Sequence, residues 1–153
     1  MFVFDTSAFI NGSRHHYFIT TMRSVWDLIE GSIDDGRVVI PHEVYREIVQ
    51  QDDPISALVK RHKDAAVDPS QHVQARAGIF EQEFADSALR DRADPLVMAE
   101  AEARGFVVVT YEGITFAGTP ARRAGKKLPA ICARHGIGCC TLAQALQELG
   151  LKL

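Results

Sequence analysis

Cysteine, long apolar runs and net charge are all scarce in these 153 residues. The three cysteines, Cys132, Cys139 and Cys140, are odd in number and two are adjacent. Adjacent cysteines rarely bridge, so no disulfide framework is expected and a reducing cytoplasm fits best. No apolar run approaches the roughly 20 residues a membrane helix needs. No basic stretch followed by a long apolar one opens the chain, so no signal peptide is expected. Cys-x-x-Cys and His-x-x-x-His pairs are absent, which argues against a zinc site. The Gly-containing segments match neither phosphate-loop nor dinucleotide patterns. A formal charge of −3 gives no overall basic surface for nucleic acid. Basic residues do gather locally, at Arg122, Arg123, Lys126 and Lys127 and again at Lys60, Arg61, His62 and Lys63. A local patch matters more than the total for binding phosphate.

What is present reads as one α/β domain over residues 1–153, long enough to bury a sizeable core. Phe2 to Phe4, Arg37 to Ile40, Phe106 to Thr110 and Ile137 to Thr141 read as strands. Between them, Phe18, Met22, Val25, Trp26, Ile29 and Ile33 recur at helical spacing. Pro41 starts a further helix, and Asp52-Asp53-Pro54 ends it before a short helix to about His62. Ser70 caps a helix carrying Val73, Ala77, Phe80 and Phe84. Residues 85–93 read as loop, and Asp94-Pro95 opens a helix that ends near Arg104-Gly105. Glu112 to Lys127 is expected as a mobile loop, followed by short helices at 129–135 and 142–149. This alternation predicts a central parallel sheet of four to five strands between helical layers.

Carboxylates stand at the ends of the apolar runs. Asp5 closes Phe2-Val3-Phe4, and Glu112 follows the strand ending in Thr110. Glu47 sits in the helix after the second strand, and Asp94 opens an apolar helix. In an open α/β sheet the carboxyl ends of the strands share one edge, where ligands bind. Acids gathered there repel one another, so burying them together is costly without a cation. Magnesium or manganese would relieve that cost, since both take oxygen ligands. Two such ions can activate a water and stabilise a leaving oxygen on either side of a phosphodiester. Each acid also has a plainer role: helix cap for Asp5 and Asp94, exposed carboxylate for Glu47, Glu43 or Glu112. Glu43 lies four residues before Glu47 on the same helix face, so either could reach the site. Thr6, Ser7, Asn11 and Thr110 can orient a carboxylate or a water by hydrogen bonding. A dehalogenase-type phosphatase needs a second Asp two residues after the first, and Ser7 stands there.

Phe4-Asp5-Thr6-Ser7, the helix from Pro41 to Glu47, Ala93-Asp94-Pro95 and Val109-Thr110-Tyr111-Glu112 together resemble the acidic motifs of PIN domains. The likeness runs through essentially the whole chain, in the family's order. Glu112 follows Asp94 by eighteen residues, close to the family's usual gap. The resemblance implies a PIN-like α/β/α sandwich and a metal-dependent endoribonuclease, many of whose relatives are toxins of prokaryotic toxin–antitoxin pairs. It implies Asp5, Glu47, Asp94 and Glu112 as catalytic ligands of Mg2+ or Mn2+. It also implies an RNA substrate, a small antitoxin partner and a homodimer. Two departures stand out: Glu112 falls where the family usually has Asp or Asn, and a Gly-basic insert follows it. The insert, with Arg122, Arg123, Lys126 and Lys127, is similar to that of a PIN-like subgroup long carried as a domain of unknown function. Those four residues are the expected RNA phosphate contacts. A housekeeping RNA-processing nuclease or a catalytically silent RNA- or protein-binding module are the alternatives.

Overall fold

Five short parallel strands form the centre of the molecule in the order β3-β2-β1-β4-β5, as seen in a computed structural model. The structure describes residues 1–87, 93–112 and 127–152, with the side chains of 85–87 excepted. The strands are β1 (Phe2–Phe4), β2 (Val38–Pro41), β3 (Ala66–Val67), β4 (Val107–Val109) and β5 (Cys139–Cys140). Phe2 pairs with both Val38 and Val107, so β1 lies between β2 and β4. Both faces are covered, which is why β1 and β2 read as unbroken apolar runs and are buried at every position. The flanking helices are α1 (Thr6–Asn11), α2 (Arg23–Asp34), α3 (His42–Val49), α4 (Pro54–Lys60), α5 (Gln71–Phe80), α6 (Asp94–Arg104), α7 (Leu128–Arg134) and α8 (Leu142–Leu149). The result is the expected α/β/α sandwich. Among the described residues no helix is long and apolar enough to cross a membrane.

β3 was not predicted. It is two residues long and half-buried, and only its register against Ile40 and Pro41 makes it a strand. α2 starts at Arg23, later than the periodicity from Phe18 predicts. Phe18 is exposed and belongs to a turn in which its carbonyl accepts from Thr21 and Met22. α5 ends at Phe80 and continues as a 3-10 turn, Glu81–Ser87, instead of running to Phe84. α1 runs directly into a π-helical turn, Gly12–His16, a rare form that often sits at functional sites. Gly12 lets the turn approach α8 closely: a Cβ there would stand 2.7 Å from Leu142 Cδ2, which would have to shift. At the other end of the sheet, Gly105 takes φ 66° to close α6 and turn the chain into β4.

Two members of the second basic group, Arg61 and His62, are committed to a carboxylate of the fold, while Lys60 and Lys63 are exposed. Glu30 of α2, with its side chain only 13% exposed, accepts from Arg61 Nη2 at 2.6 Å and from Arg23 Nη2 at 2.6 Å. His62 Nε2 lies 3.0 Å from the same carboxylate. Burial opposes ionisation of Glu30, but hydrogen bonds from His62 and Arg61 and the charges of Arg61 and Arg23 outweigh it and lower its pKa. A lowered carboxylate pKa stabilises the fold above the unfolded value and loses that effect as pH falls through the folded value. Glu30→Gln is therefore expected to cost about 1.5–3 kcal/mol at neutral pH. The cost should close at an acid pH below the lowered pKa of Glu30, where both proteins are uncharged at this position. Urea denaturation at the two pH values measures it, and an equal loss at both would refute the ion-pair account.

Candidate active site

The strand order places a topological switch between β1 and β4. β1 is followed by strands on one side and β4 begins the other, so a crevice opens at their carboxyl ends. Asp5 and Thr110 each directly follow one of those two strands.

Asp5 is 3% exposed and forms the hub of the crevice. Its Oδ1 accepts from Thr6 N at 2.7 Å, so it does cap α1. Its Oδ2 accepts from Ser7 Oγ at 2.7 Å and from Thr110 Oγ1 at 2.9 Å. No Lys or Arg among the described residues pairs with it. Burial pushes its carboxyl pKa up, against the lowering effect of the Ser7 and Thr110 hydroxyls and the Thr6 and Ser7 amides. The helix-cap role and the site role thus use different oxygens of one side chain.

Two chains of hydrogen bonds run outward from this hub. On one side, Thr6 Oγ1 donates to Glu47 Oε2, and Glu47 Oε1 accepts from Ala93 N at 3.3 Å. Glu47 therefore joins α3 to the start of α6, where Asp94 is the first helical residue and 3% exposed. Ala93 holds the cap position, so Asp94 is not the N-cap residue that Asp94-Pro95 also allowed. On the other side, Ser7 Oγ accepts from Tyr111 N at 2.9 Å, and Thr110 Oγ1 accepts from Glu112 N at 3.0 Å. Glu112 Oε2 accepts from Leu128 N at 3.3 Å, at the start of α7. One oxygen of its carboxylate is thereby engaged at the start of α7.

The charges of three of these acids meet at a pair of thiols. Cys132 of α7 donates to Cys139 of β5, and this bond, then burial, then the charges of Cys139, Asp94 and Asp5, push the Cys132 pKa up. At Cys139 the hydrogen bond from Cys132 lowers the pKa, against burial and the charges of Asp5 and Glu112. Nothing in the spacing of the cysteines suggested this placement. His16 was also unforeseen: it stacks on Tyr111, with centroids 4.8 Å apart and planes 5° apart, at the mouth of the crevice. Burial, and after it the neighbouring Tyr17 hydroxyl, push the Tyr111 pKa up to about 12.

Other predicted residues stand elsewhere. Glu43 pairs with Arg46 at 3.0 Å and faces a separate cavity. No hydrogen bond joins the Asn11 side chain to the acids among the described residues; it ends α1. Arg122, Arg123 and Lys126 lie outside the described residues. Lys127 is described and half-buried, in the cap position of α7. Among the described residues no three His, Cys, Asp or Glu side chains stand as a ready set of metal ligands. Asp5, Glu47 and Glu112 are each hydrogen-bonded to a hydroxyl or backbone amide.

Comparison with family models matches residues 2–153 to a domain of unknown function, DUF4411. The chain belongs to the DUF4411 family. A comparison with curated proteins gives no match for this DUF4411 chain. Among solved structures it is similar to the crystal structure of PAE2754 from Pyrobaculum aerophilum, with a TM-score of 0.52 and 15% identity. That likeness covers 99% of this chain and 97% of the other. At this identity it establishes a shared fold.

Proposed function

We propose that this DUF4411 domain is a metal-dependent endoribonuclease of PIN type. The reading rests above all on Asp5: a buried carboxylate at the switch point of the sheet, oriented by two hydroxyls and without a Lys or Arg partner among the described residues. Such a group is costly to keep ionised unless a cation joins it. The acids and hydroxyls around it offer only oxygen, the donor type that hard divalent ions take. Asp5, Asp94 and Glu47 would hold the ion, with Glu112 reaching it directly or through a water. A bound Mg2+ or Mn2+ would supply Lewis acidity, activating water and stabilising the leaving oxygen.

The residues of the chain would do the remaining work. Ser7 and Thr110 fix the rotamer of Asp5, and Thr6 fixes that of Glu47. Single-stranded RNA suits an open crevice, with basic side chains holding flanking phosphates. Cleavage by in-line attack of water would leave a 3′-hydroxyl and a 5′-phosphate. A toxin role, with a small antitoxin blocking the crevice and the protein acting as a homodimer, extends this reading.

The test is cleavage of single-stranded RNA by the purified chain with Mn2+ or Mg2+, and its loss with EDTA. Thr110→Val should fold normally and lower activity by about 10- to 100-fold, as expected for a group that orients a ligand. Cleavage that persists in EDTA, or full activity in Thr110→Val, would overturn the proposal.

A further inference from the structure

Cys132 and Cys139 stand as a thiol pair beside the crevice, and the proposed reaction uses neither. Cys132 is fully buried in α7, and Cys139 of β5 is partly exposed. The Cys132 thiol donates a hydrogen bond to the Cys139 sulfur. The chain between them is a tight return. His135 N and Ile137 N both donate to Cys132 O, at 3.0 and 2.9 Å, and Gly136 takes φ 69° to make the turn. Gly138 O then accepts from Val108 N at 2.9 Å, and Cys139 pairs in register with Val108. Backbone bonds on both sides thus hold the two sulfurs together.

Cys140 has no share in the pair. Successive residues of a strand face opposite sides of the sheet, so Cys139 faces α7 and Cys140 faces away from it. There the Ala145 amide of α8 reaches the Cys140 sulfur. The two paired thiols also differ from each other. Cys139 has the surface access, and the hydrogen bond from Cys132 lowers its pKa, against burial and the charges of Asp5 and Glu112. Cys132 is shielded, and its pKa is pushed up. An accessible, ionisable thiol beside a second thiol that can close on it is the arrangement of a reversible oxidation site.

We infer that Cys139 and Cys132 form a reversible disulfide within one chain when hydrogen peroxide reaches Cys139. The Cys139 sulfur attacks one oxygen of the peroxide. The O–O bond breaks, and the departing hydroxide becomes water with the proton of the Cys139 thiol. Cys139 is thereby oxidised to a sulfenic acid as the peroxide is reduced. The Cys132 sulfur then attacks the sulfenic sulfur. The S–S bond forms, the S–O bond breaks, and a second water leaves with the proton of Cys132. Two thiols and one peroxide give one disulfide and two waters, and a thiol reductant reverses the bond. The bond ties β5 to α7, the helix whose Leu128 amide engages Glu112. The inference is independent of the nuclease reading, because it uses none of the acids or hydroxyls of the crevice.

Treatment of the folded, reduced full chain with excess hydrogen peroxide tests it, read by thiol titration, intact mass and peptide mapping. Two of the three free thiols should be lost, and dithiothreitol should restore them. The linked peptides should be those of Cys132 and Cys139. The bridge should form at least about 10-fold faster in the folded chain than in urea, where only chance encounters join the sulfurs. Cys132→Ser should stop at a sulfenic acid on Cys139, which dimedone traps. Cys140→Ser leaves the pair untouched and should bridge as the parent does. Three outcomes would overturn the site. They are survival of all three thiols in the folded chain, a bridge made through Cys140 or between two chains, and equal rates of bridging in the folded chain and in urea.

Discussion

Asp5→Asn is expected to abolish RNA cleavage while raising the melting temperature of the metal-free protein at neutral pH. Folding buries Asp5 and raises its pKa above the ordinary 3.8. The sign follows from linkage. A carboxyl whose folded pKa is raised contributes stability below the unfolded value and loses it as pH rises through the folded value. At neutral pH the parent thus carries a penalty that the neutral amide lacks. Asn keeps an oxygen to accept from Thr6 N, and the Ser7 and Thr110 hydroxyls can turn to accept from its Nδ2. The gain in melting temperature should shrink as the buffer is taken down towards about pH 4. Added Mn2+ should then stabilise the parent and leave the variant unchanged, since the ligand must be an ionised carboxylate. The loss of activity should be about 100-fold or more, the scale on which a charge-stabilising group acts in a closed site. Thermal melts at neutral and acid pH, with and without metal, beside an RNA cleavage assay, test all four outcomes. Equal metal-induced shifts in parent and variant would remove Asp5 from the metal site. Retained cleavage would remove it from the mechanism.

Trp26→Ala should produce the largest loss of stability. Trp26 is fully buried in α2, and its Nε1 donates to Tyr17 O at 2.6 Å. Its ring also lies against Gly12, where a Cβ would stand 3.7 Å from Cη2. The side chain thus joins α2 to the π-helical turn. Removing an indole from a packed core costs about 3–5 kcal/mol, through lost transfer energy and an unfilled cavity. For a domain of this size that is roughly 10 °C in melting temperature. Phe18→Ala is the matched control: Phe18 is 51% exposed and should change stability by less than about 0.5 kcal/mol. Urea denaturation of both variants decides it. A loss below about 1 kcal/mol for Trp26→Ala would mean that the turn does not depend on α2.

Much of the fold was legible because strong patterns were not contradicted by their surroundings. Phe2-Val3-Phe4 and the valines of β4 are apolar at every position, as strands covered on both faces must be. Ser70 caps α5 and Thr141 caps α8 through their own side chains, which short-range chemistry alone decides. The misread elements depend on distant partners. β3 exists through its pairing with β2, and the periodicity from Phe18 gives way to the turn preceding Arg23. The basic group at Lys60–Lys63 looked like a surface patch. Arg61 and His62 prove committed to Glu30, over thirty residues earlier.

The candidate site divides in the same way. The sequence by itself determined which carboxylates end apolar segments and in what order, since a strand or helix end is a local property. It also marked Asp5 as the acid hardest to leave unpaired. Only the tertiary structure decided that Asp5 and Thr110 flank the same switch point, because strand order is set by packing between distant segments. Tertiary structure likewise turned Glu47 onto Thr6 and Ala93, engaged Glu112 at the start of α7, and sent Glu43 into a different cavity. Glu43 and Glu47 share a helix face and a charge. What separates them is the set of donors that other elements bring within hydrogen-bonding reach, and no spacing along one helix encodes that.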